Sequence, residues 1–144
     1  MPPKRSRGGS THWKRSDALA RGYRSGLEAD NADLLRKLKV TFGFETEKIK
    51  YFKPASHHTY TPDFVITTKS GKKIYVETKG RFLYADTQKH LLVKEQHPDL
   101  DIRFVFSSLN SKVGDSKIIT CRSWAEKYGY PYAHKVIPKA WLAE

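Results

Sequence analysis

A chain of 144 residues, of which 38% are hydrophobic and 12% aromatic, is long enough for one domain with one core. No apolar run approaches the roughly 20 residues that a membrane-spanning helix needs. The single cysteine, Cys121, excludes an internal disulfide framework and a cysteine-built zinc site. We therefore expect a soluble protein, with no membrane partner, that works in a reducing compartment.

The net charge of +12, from 27 Lys and Arg against 15 Asp and Glu, indicates a polyanionic partner. Half of this charge lies in the first 24 residues, where Asp17 is the one acid. Such an arm suits sequence-independent phosphate contacts, and we predict that residues 1–20 are disordered and precede a single domain at 21–144. A tail that only keeps the protein soluble is the alternative. The predicted nucleic-acid-binding residues of this region are Lys4, Arg5, Arg7, Lys14, Arg15, Arg21 and Arg24.

The first predicted helix begins at Ser25, which with Glu28 has the spacing of a capping box. A stripe of leucines at 27, 34, 35 and 38 continues it, and Gly43 is positioned to end it. A charged strand is predicted at 45–53, followed by a polar loop at 55–61. These segments precede the clearest strand signal in the chain.

The remaining predicted elements give a mixed order of helices and strands. Asp86 is predicted to cap a helix that continues through Gln96, and residues 102–106 form an interior strand. A polar loop at 107–117 leads to a short strand at 118–120. A second capping box at 123–126 opens a helix that Gly129 ends. Trp141 and Leu142 are expected to pack the C-terminal segment against the core.

Two short apolar segments, 64–66 and 74–76, flank a turn at 69–72 and predict a β-hairpin. If the turn centres on Ser70, Asp63 lies directly opposite Glu77, with the two Cβ atoms about 5 Å apart on one face. Lys79 projects from the same face, because side chains alternate along a strand. The hairpin therefore brings two carboxylates and one ammonium group to one patch of the sheet.

Opposed carboxylates repel unless a positive charge lies between them. Oxygen ligands without cysteine suit Mg²⁺ or Mn²⁺, which polarise a phosphoryl oxygen and make hydroxide available at neutral pH. Lys79 would then steady the attacking water or the charge growing on the phosphate. The alternative is a solvent-facing cluster of ions, because the pattern is weak by itself. Glu28 also has two interpretations, as a further acid of the site or as the capping partner of Ser25.

The sequence around these residues resembles the phage endonuclease I family of four-way-junction (Holliday) resolvases. The similarity runs in order from about residue 24 to residue 141. The matching blocks are 24–28 (RSGLE), 54–56 (PAS), 59–64 (TYTPDF), 76–80 (VETKG), 89–92 (KHLL), 95–98 (EQHP) and 105–108 (VFSS).

The resemblance implies an α/β fold like that of restriction endonucleases, with a mixed sheet flanked by helices. It implies that Asp63, Glu77 and the backbone carbonyl of Thr78 bind the catalytic metal ions. Glu28 would be a further acid at the second metal, and Lys79 the catalytic lysine. The family also implies an intertwined, domain-swapped homodimer, in which Glu28 meets the other three residues from the partner chain and residues 45–54 bridge the subunits.

The expected function is the resolution of branched DNA by paired nicks, with Mg²⁺ as cofactor and Mn²⁺ able to substitute. No small-molecule cofactor is expected, and the expected location is the cytoplasm of an infected bacterial host. His57 in the polar loop, and Lys89 and His90 early in a helix, are further candidates for DNA contacts, with ordinary surface positions as the alternative. A nuclease for plain duplex, a non-catalytic architectural DNA-binding protein and an RNA-binding module are the competing functions.

Overall fold

The computed structural model describes residues 15–53 and 56–144, and within these ranges the chain forms five helices and seven strands. The helices are α1 (Arg15–Ala20), α2 (Gly26–Lys37), α3 (Tyr84–Gln96), α4 (Cys121–Tyr128) and α5 (Lys139–Leu142). The strands are β1 (Phe42–Phe44), β2 (Ile49–Lys53), β3 (Ser56–Tyr60), β4 (Phe64–Thr67), β5 (Lys73–Lys79), β6 (Ile102–Phe106) and β7 (Tyr132–His134). In these ranges no helix combines the length and apolar character that a membrane span requires.

Five strands form a mixed sheet in the order β1-β4-β5-β6-β7. The β1/β4 and β4/β5 pairs are antiparallel, and the β5/β6 and β6/β7 pairs are parallel. Helices α3 and α4 make the crossover connections that the parallel pairs need. Strands β2 and β3 form a separate antiparallel sheet of two strands. The predicted α/β class is therefore confirmed at the level of one chain.

Apolar side chains of the sheet divide into two clusters, because successive residues of a strand point to opposite faces. Phe64 and Ile66 of β4 belong to the cluster that includes buried residues of α1 and α2, such as Ala18 and Leu35. Val65, between them in sequence, belongs to the second cluster, which packs against α3 and α4. The second cluster is rich in aromatic residues, including Tyr60, Phe82, Phe104, Phe106 and Trp124.

The predicted hairpin register is confirmed. Phe64 lies opposite Val76 and Ile66 opposite Ile74, with Gly71 in the turn at a φ of 88°. Continuing this pairing by one residue places Asp63 opposite Glu77. The interior position of residues 102–106 is confirmed as well, because β6 lies between β5 and β7 and is buried along its length.

The N-terminal part of the chain differs from the sequence prediction in two places. Residues 15–20 are helical rather than disordered, and Ala18 is fully buried, so this end of the predicted arm packs onto the core. Residues 1–14 lie outside the described residues. Helix α2 starts after Ser25 as predicted but ends at Lys37, because Lys39 takes a positive φ of 54° and turns the chain. Gly43 consequently lies in β1, opposite Val65.

The predicted loop at 55–61 is largely strand, because residues 56–60 pair with β2 along their length. Strand β3 exposes residues on both of its faces, so it lacks the apolar alternation by which a half-buried strand is recognised. The strand predicted at 45–53 begins only at Ile49. Strands β1 and β7, three residues each, were not predicted because they are too short to show a period.

Helices α3 and α4 begin earlier than predicted. Leu83 is the N-cap of α3, and Asp86 is its third residue, whose carboxylate accepts a hydrogen bond from the Leu83 backbone at 3.1 Å. Thr120 is the N-cap of α4 and exchanges hydrogen bonds with Ser123. The strand predicted at 118–120 is therefore reduced to an isolated β-bridge between Thr120 and Lys112. The predicted ends at Gln96 and before residue 129 are confirmed.

The C-terminal segment packs against the core as predicted. Leu142 is buried in the cluster that contains α2, and Trp141 packs against the same cluster while partly buried. The Trp141 ring also lies 5.2 Å from the guanidinium carbon of Arg103, a buried residue of β6. The chain end therefore covers one face of the sheet.

Candidate active site

Asp63 and Glu77 lie side by side in the interior, with only 1% and 5% of their surfaces exposed. Asp63 Oδ2 accepts hydrogen bonds from the backbone N and the hydroxyl of Thr78, each at 2.9 Å. Glu77 Oε2 accepts a hydrogen bond of 2.7 Å from the hydroxyl of Tyr60. A pair of acids this deeply buried and hydrogen-bonded is not a solvent-facing cluster, so that alternative is wrong.

Lys79 projects from the same face as the acids, as strand alternation predicted. Its Nζ lies 3.6 Å from Glu77 Oε1 and 3.6 Å from Asp86 Oδ1, with 14% of the side chain exposed. Asp86 was predicted only as a helix cap, yet it also lies 3.9 Å from the Nζ of Lys89. The start of α3 therefore holds the lysine of the hairpin from the opposite side to Glu77.

Burial and the charge of Asp63 raise the pKa of Glu77 to about 7, while Lys79 and the Tyr60 hydroxyl oppose these effects. Burial and the Glu77 carboxylate raise the pKa of Tyr60 well above its usual value, so Tyr60 remains a hydrogen-bond donor. Glu77 therefore holds its proton up to near-neutral pH, and a cation beside it would favour the ionised form.

The donor set at this position fits a hydrated divalent cation. Among the described residues, no group of three or more His, Cys, Asp and Glu side chains is arranged to hold a metal ion. Asp63 and Glu77 supply two carboxylates, and Mg²⁺ is commonly held by one or two carboxylates and several waters. The role predicted for the carbonyl of Thr78 stays a prediction.

Glu28 reaches this site within the same chain. It is 6% exposed, and its Oε2 accepts a hydrogen bond of 2.8 Å from the backbone N of Arg24. Ser25 caps α2 by accepting from the Glu28 backbone at 3.2 Å, but the Glu28 carboxylate is directed at Arg24. Burial raises the pKa of Glu28, the Arg24 backbone hydrogen bond lowers it, and Asp63 raises it.

Arg24 connects the acids. Its Nη2 lies 3.3 Å from Glu28 Oε1, 3.2 Å from Asp63 Oδ1 and 2.6 Å from Glu45 Oε1. Glu45 was not predicted at the site, because the sequence placed it in a strand. It adopts a positive φ of 52°, and its backbone N donates to the Asp63 carbonyl at 3.0 Å. A non-glycine residue held in this conformation stores strain, as residues of functional sites commonly do.

Asn31 fixes the helix that carries Glu28. This fully buried residue donates from Nδ2 to the carbonyls of Leu27 at 2.9 Å and Lys135 at 3.1 Å. Its Oδ1 accepts from the backbone N of Ile137 at 2.9 Å. One amide therefore ties α2 to the segment after β7, which limits how far α2 can shift from the sheet.

The prediction that His90 contacts DNA is wrong. His90 is fully buried, with its ring centroid 5.1 Å from that of Tyr60 and 4.8 Å from that of Phe104. Burial lowers the pKa of His90 well below its usual value, and Lys79 and Lys89 add to this effect. Within the described part of the chain neither ring nitrogen has a hydrogen-bond partner. His90 is therefore a neutral core residue that supports Tyr60.

The other residues predicted to bind DNA have varied surroundings. His57 is exposed on β3, beside the ring of Phe52. Lys89 lies next to Asp86, and Arg21 lies 3.6 Å from Asp33. Their contacts with DNA stay predictions. The rest of the basic arm falls outside the description: Lys4, Arg5, Arg7 and Lys14 entirely, and Arg15 in its side chain.

Asp63 directly precedes β4, and Glu77 and Lys79 lie on the adjacent central strand β5, so that two buried acids and a lysine meet in an arrangement that suits an α/β nuclease. The sequence model of the phage endonuclease I family matches residues 10–144. The chain is 43% identical over 122 residues to endonuclease I of Escherichia phage T7, covering 85% of this chain and 79% of that protein. It is 43% identical over 124 residues to endodeoxyribonuclease 1 of Enterobacteria phage T3, covering 86% and 79%. The chain belongs to the phage endonuclease I family.

Replacing Glu77 by Gln should stabilise the metal-free protein at alkaline pH. Because folding raises the pKa of Glu77 from 4.5 to about 7, ionisation favours the unfolded chain, and wild-type stability falls as pH rises through that window. Gln can still accept the Tyr60 hydrogen bond. We expect Glu77→Gln to melt at a higher temperature than wild type above pH 7, with the difference shrinking towards pH 4.5.

Melting curves in a chelating buffer across this pH range measure the effect. Glu95→Gln, on an exposed position of α3, is the matched control and should follow wild type at every pH. Parallel curves for Glu77→Gln and wild type throughout would show that burial does not penalise the ionised Glu77.

Proposed function

We propose that this protein is a structure-selective endodeoxyribonuclease that hydrolyses phosphodiesters near the branch point of four-way (Holliday) and other branched DNA, with Mg²⁺ as cofactor. The observation that carries the proposal is the buried pair of Asp63 and Glu77 with Lys79 Nζ 3.6 Å from Glu77. The relatives named endonuclease I and endodeoxyribonuclease 1 support DNA cleavage as the reaction.

Each side chain of the site has a defined part in this proposal. Mg²⁺ or Mn²⁺ held by Asp63 and Glu77 would polarise the phosphoryl oxygen and lower the pKa of bound water. Thr78 fixes one oxygen of Asp63, and Tyr60 fixes one oxygen of Glu77, so the two acids keep their orientation without substrate. Lys79, held by Asp86, offers positive charge where negative charge grows on the phosphate.

The positive charge of the protein favours recognition of DNA through its phosphates, and so of the shape of a junction, over recognition of a base sequence. A net charge of +12 provides many phosphate contacts, and these position a protein on DNA without reading bases. Arg24, with 66% of its side chain exposed, and Lys89 lie next to the acids and are suited to such contacts. The cytoplasm of an infected host is where such an enzyme would meet branched DNA.

We further propose a homodimer in which α1, α2 and β1 exchange between two chains, with residues 45–54 as the bridge. A swap of identical elements preserves the contacts of the single chain, so Glu28 of one subunit would meet Asp63 of the other. The bridge contains β2, which pairs with β3 in a sheet separate from the five-stranded sheet. Two linked sites suit a junction, in which two strands must be cut.

Wild-type protein with Mg²⁺ should introduce paired nicks into a fixed four-way junction and leave its linear arms intact. Glu77→Gln and Lys79→Ala should retain junction affinity and lose cleavage by about 10²–10³-fold, because the first weakens binding of the metal ion and the second removes positive charge from the reacting phosphate. Gel assays of binding and cleavage, with Mg²⁺ and with chelator, measure both quantities on the same samples.

The exposed Lys117→Ala is the charge-matched control for Lys79→Ala and should cut like wild type. Binding without any cleavage by wild type would identify an architectural protein instead. Equal cleavage of junction and linear arms would identify a nuclease for plain duplex.

Mixing a Glu28→Ala subunit with a Glu77→Ala subunit should restore cleavage if the sites are shared between chains. Random mixing makes half of the dimers mixed, and each mixed dimer has one intact site, so about a quarter of the wild-type sites should return. Single-turnover cleavage of the junction, with each variant alone as the inactive control, measures the recovery. Recovery at the background of the separate variants would mean that Glu28 acts within its own chain.

A further inference from the structure

One guanidinium nitrogen contacts all three acids on the Arg24 side of the site. Arg24 Nη2 lies 2.6 Å from an oxygen of Glu45, 3.2 Å from one of Asp63 and 3.3 Å from one of Glu28. These carboxylates come from three separate segments of the chain: α2, the turn after β1 and the residue that precedes β4. A point that three carboxylates surround is where a cation is most stable.

Asp63 has one oxygen available to a cation, and Arg24 contacts it. Oδ2 accepts two hydrogen bonds from Thr78, so it is committed to the backbone and hydroxyl of that residue. Oδ1 faces Arg24. Any cation that binds Asp63 through Oδ1 therefore meets the guanidinium at the same atom, and the two positive charges repel.

Arg24 is much more exposed to solvent than the buried acids that it contacts. The side chains of Asp63 and Glu28 are 2% and 7% exposed, whereas the side chain of Arg24 is 66% exposed. Asp63 and Glu28 are therefore fixed in the interior, while Arg24 and its third partner, Glu45 at 35% exposure, can turn into solvent without opening the core. Of Arg24, Asp63 and Glu28, Arg24 is consequently the one with most freedom to move.

We propose that Arg24 is a positioning residue that competes with the metal ion for Asp63, an inference that rests on the proposed function. Without metal, the guanidinium neutralises the acids and keeps them together. With metal, it leaves Asp63 and becomes available to a phosphate of the DNA at the mouth of the site, which an arginine binds in bidentate fashion. Metal binding and phosphate binding then favour each other through one side chain.

Titration of Mn²⁺ into metal-free protein by calorimetry tests the competition directly. Arg24→Gln should bind Mn²⁺ about tenfold more tightly than wild type, which is within the usual range for two coupled ligands. Arg24→Lys keeps the charge beside the acids and should stay much closer to wild type. Arg122→Gln, an exposed position on α4, makes the same change of charge away from the site and should not alter the affinity. Circular dichroism establishes that each variant is folded.

An unchanged or weaker Mn²⁺ affinity of Arg24→Gln overturns the proposal, because Arg24 would then assist the metal or ignore it. Absence of Mn²⁺ binding in both proteins overturns it as well. Cleavage of the junction by wild type is scored separately. If wild type cleaves the junction but Arg24→Gln binds Mn²⁺ no more tightly, only the role of Arg24 is overturned. If Arg24→Gln binds Mn²⁺ more tightly but wild type does not cleave the junction, the proposed function is overturned, and the competition between Arg24 and the metal ion stands.

Discussion

Electrostatic repulsion between two buried carboxylates, Asp63 and Glu77, is the constraint around which this structure is arranged. Two strands of the central sheet bring them face to face, where neither has bulk water to screen its charge. Hydrogen bonds from Thr78 and Tyr60 and the positive charge of Lys79 stabilise the two carboxylates. These contacts hold the acids in place, but they leave Glu77 with a pKa of about 7. A cation placed beside these two carboxylates would therefore lower the electrostatic cost of keeping both of them ionised.

The surrounding elements position the groups that act on this pair. Helix α3 brings Asp86 against Lys79, and its buried His90 packs on the ring of Tyr60. Helix α2 is tied by Asn31 to the segment after β7 and carries Glu28 to the edge of the site. Within the aromatic cluster beneath the hairpin, the hydroxyl of Tyr60 donates to Glu77 and that of Tyr130 donates to the carbonyl of His90. A site that binds charged ligands requires side chains that packing and hydrogen bonds hold in place, and these elements provide both.

The central part of this arrangement could be predicted from the sequence, because strand pairing leaves little freedom. Two apolar triplets and a turn fixed the register of the hairpin, and alternation then placed Lys79 with the acids. The contacts of Arg24 could not be predicted, since they join residues up to 39 positions apart through a helix and a turn. His90 was misplaced because it follows the polar residues Gln88 and Lys89 early in a helix, whereas its burial comes from aromatic residues of three other segments. Strand β3 was missed for the same reason: its pairing with β2 defines it, and its own composition does not.

A crystal structure of the protein grown with Mn²⁺ is the most direct test of the central claim, because the anomalous scattering of manganese locates the ion without assumption. We expect a manganese peak bound by Asp63 and Glu77, with its coordination completed by water and by the carbonyl of Thr78. A manganese peak elsewhere on the surface, with both carboxylates still engaged only by Thr78, Tyr60 and Arg24, would contradict it.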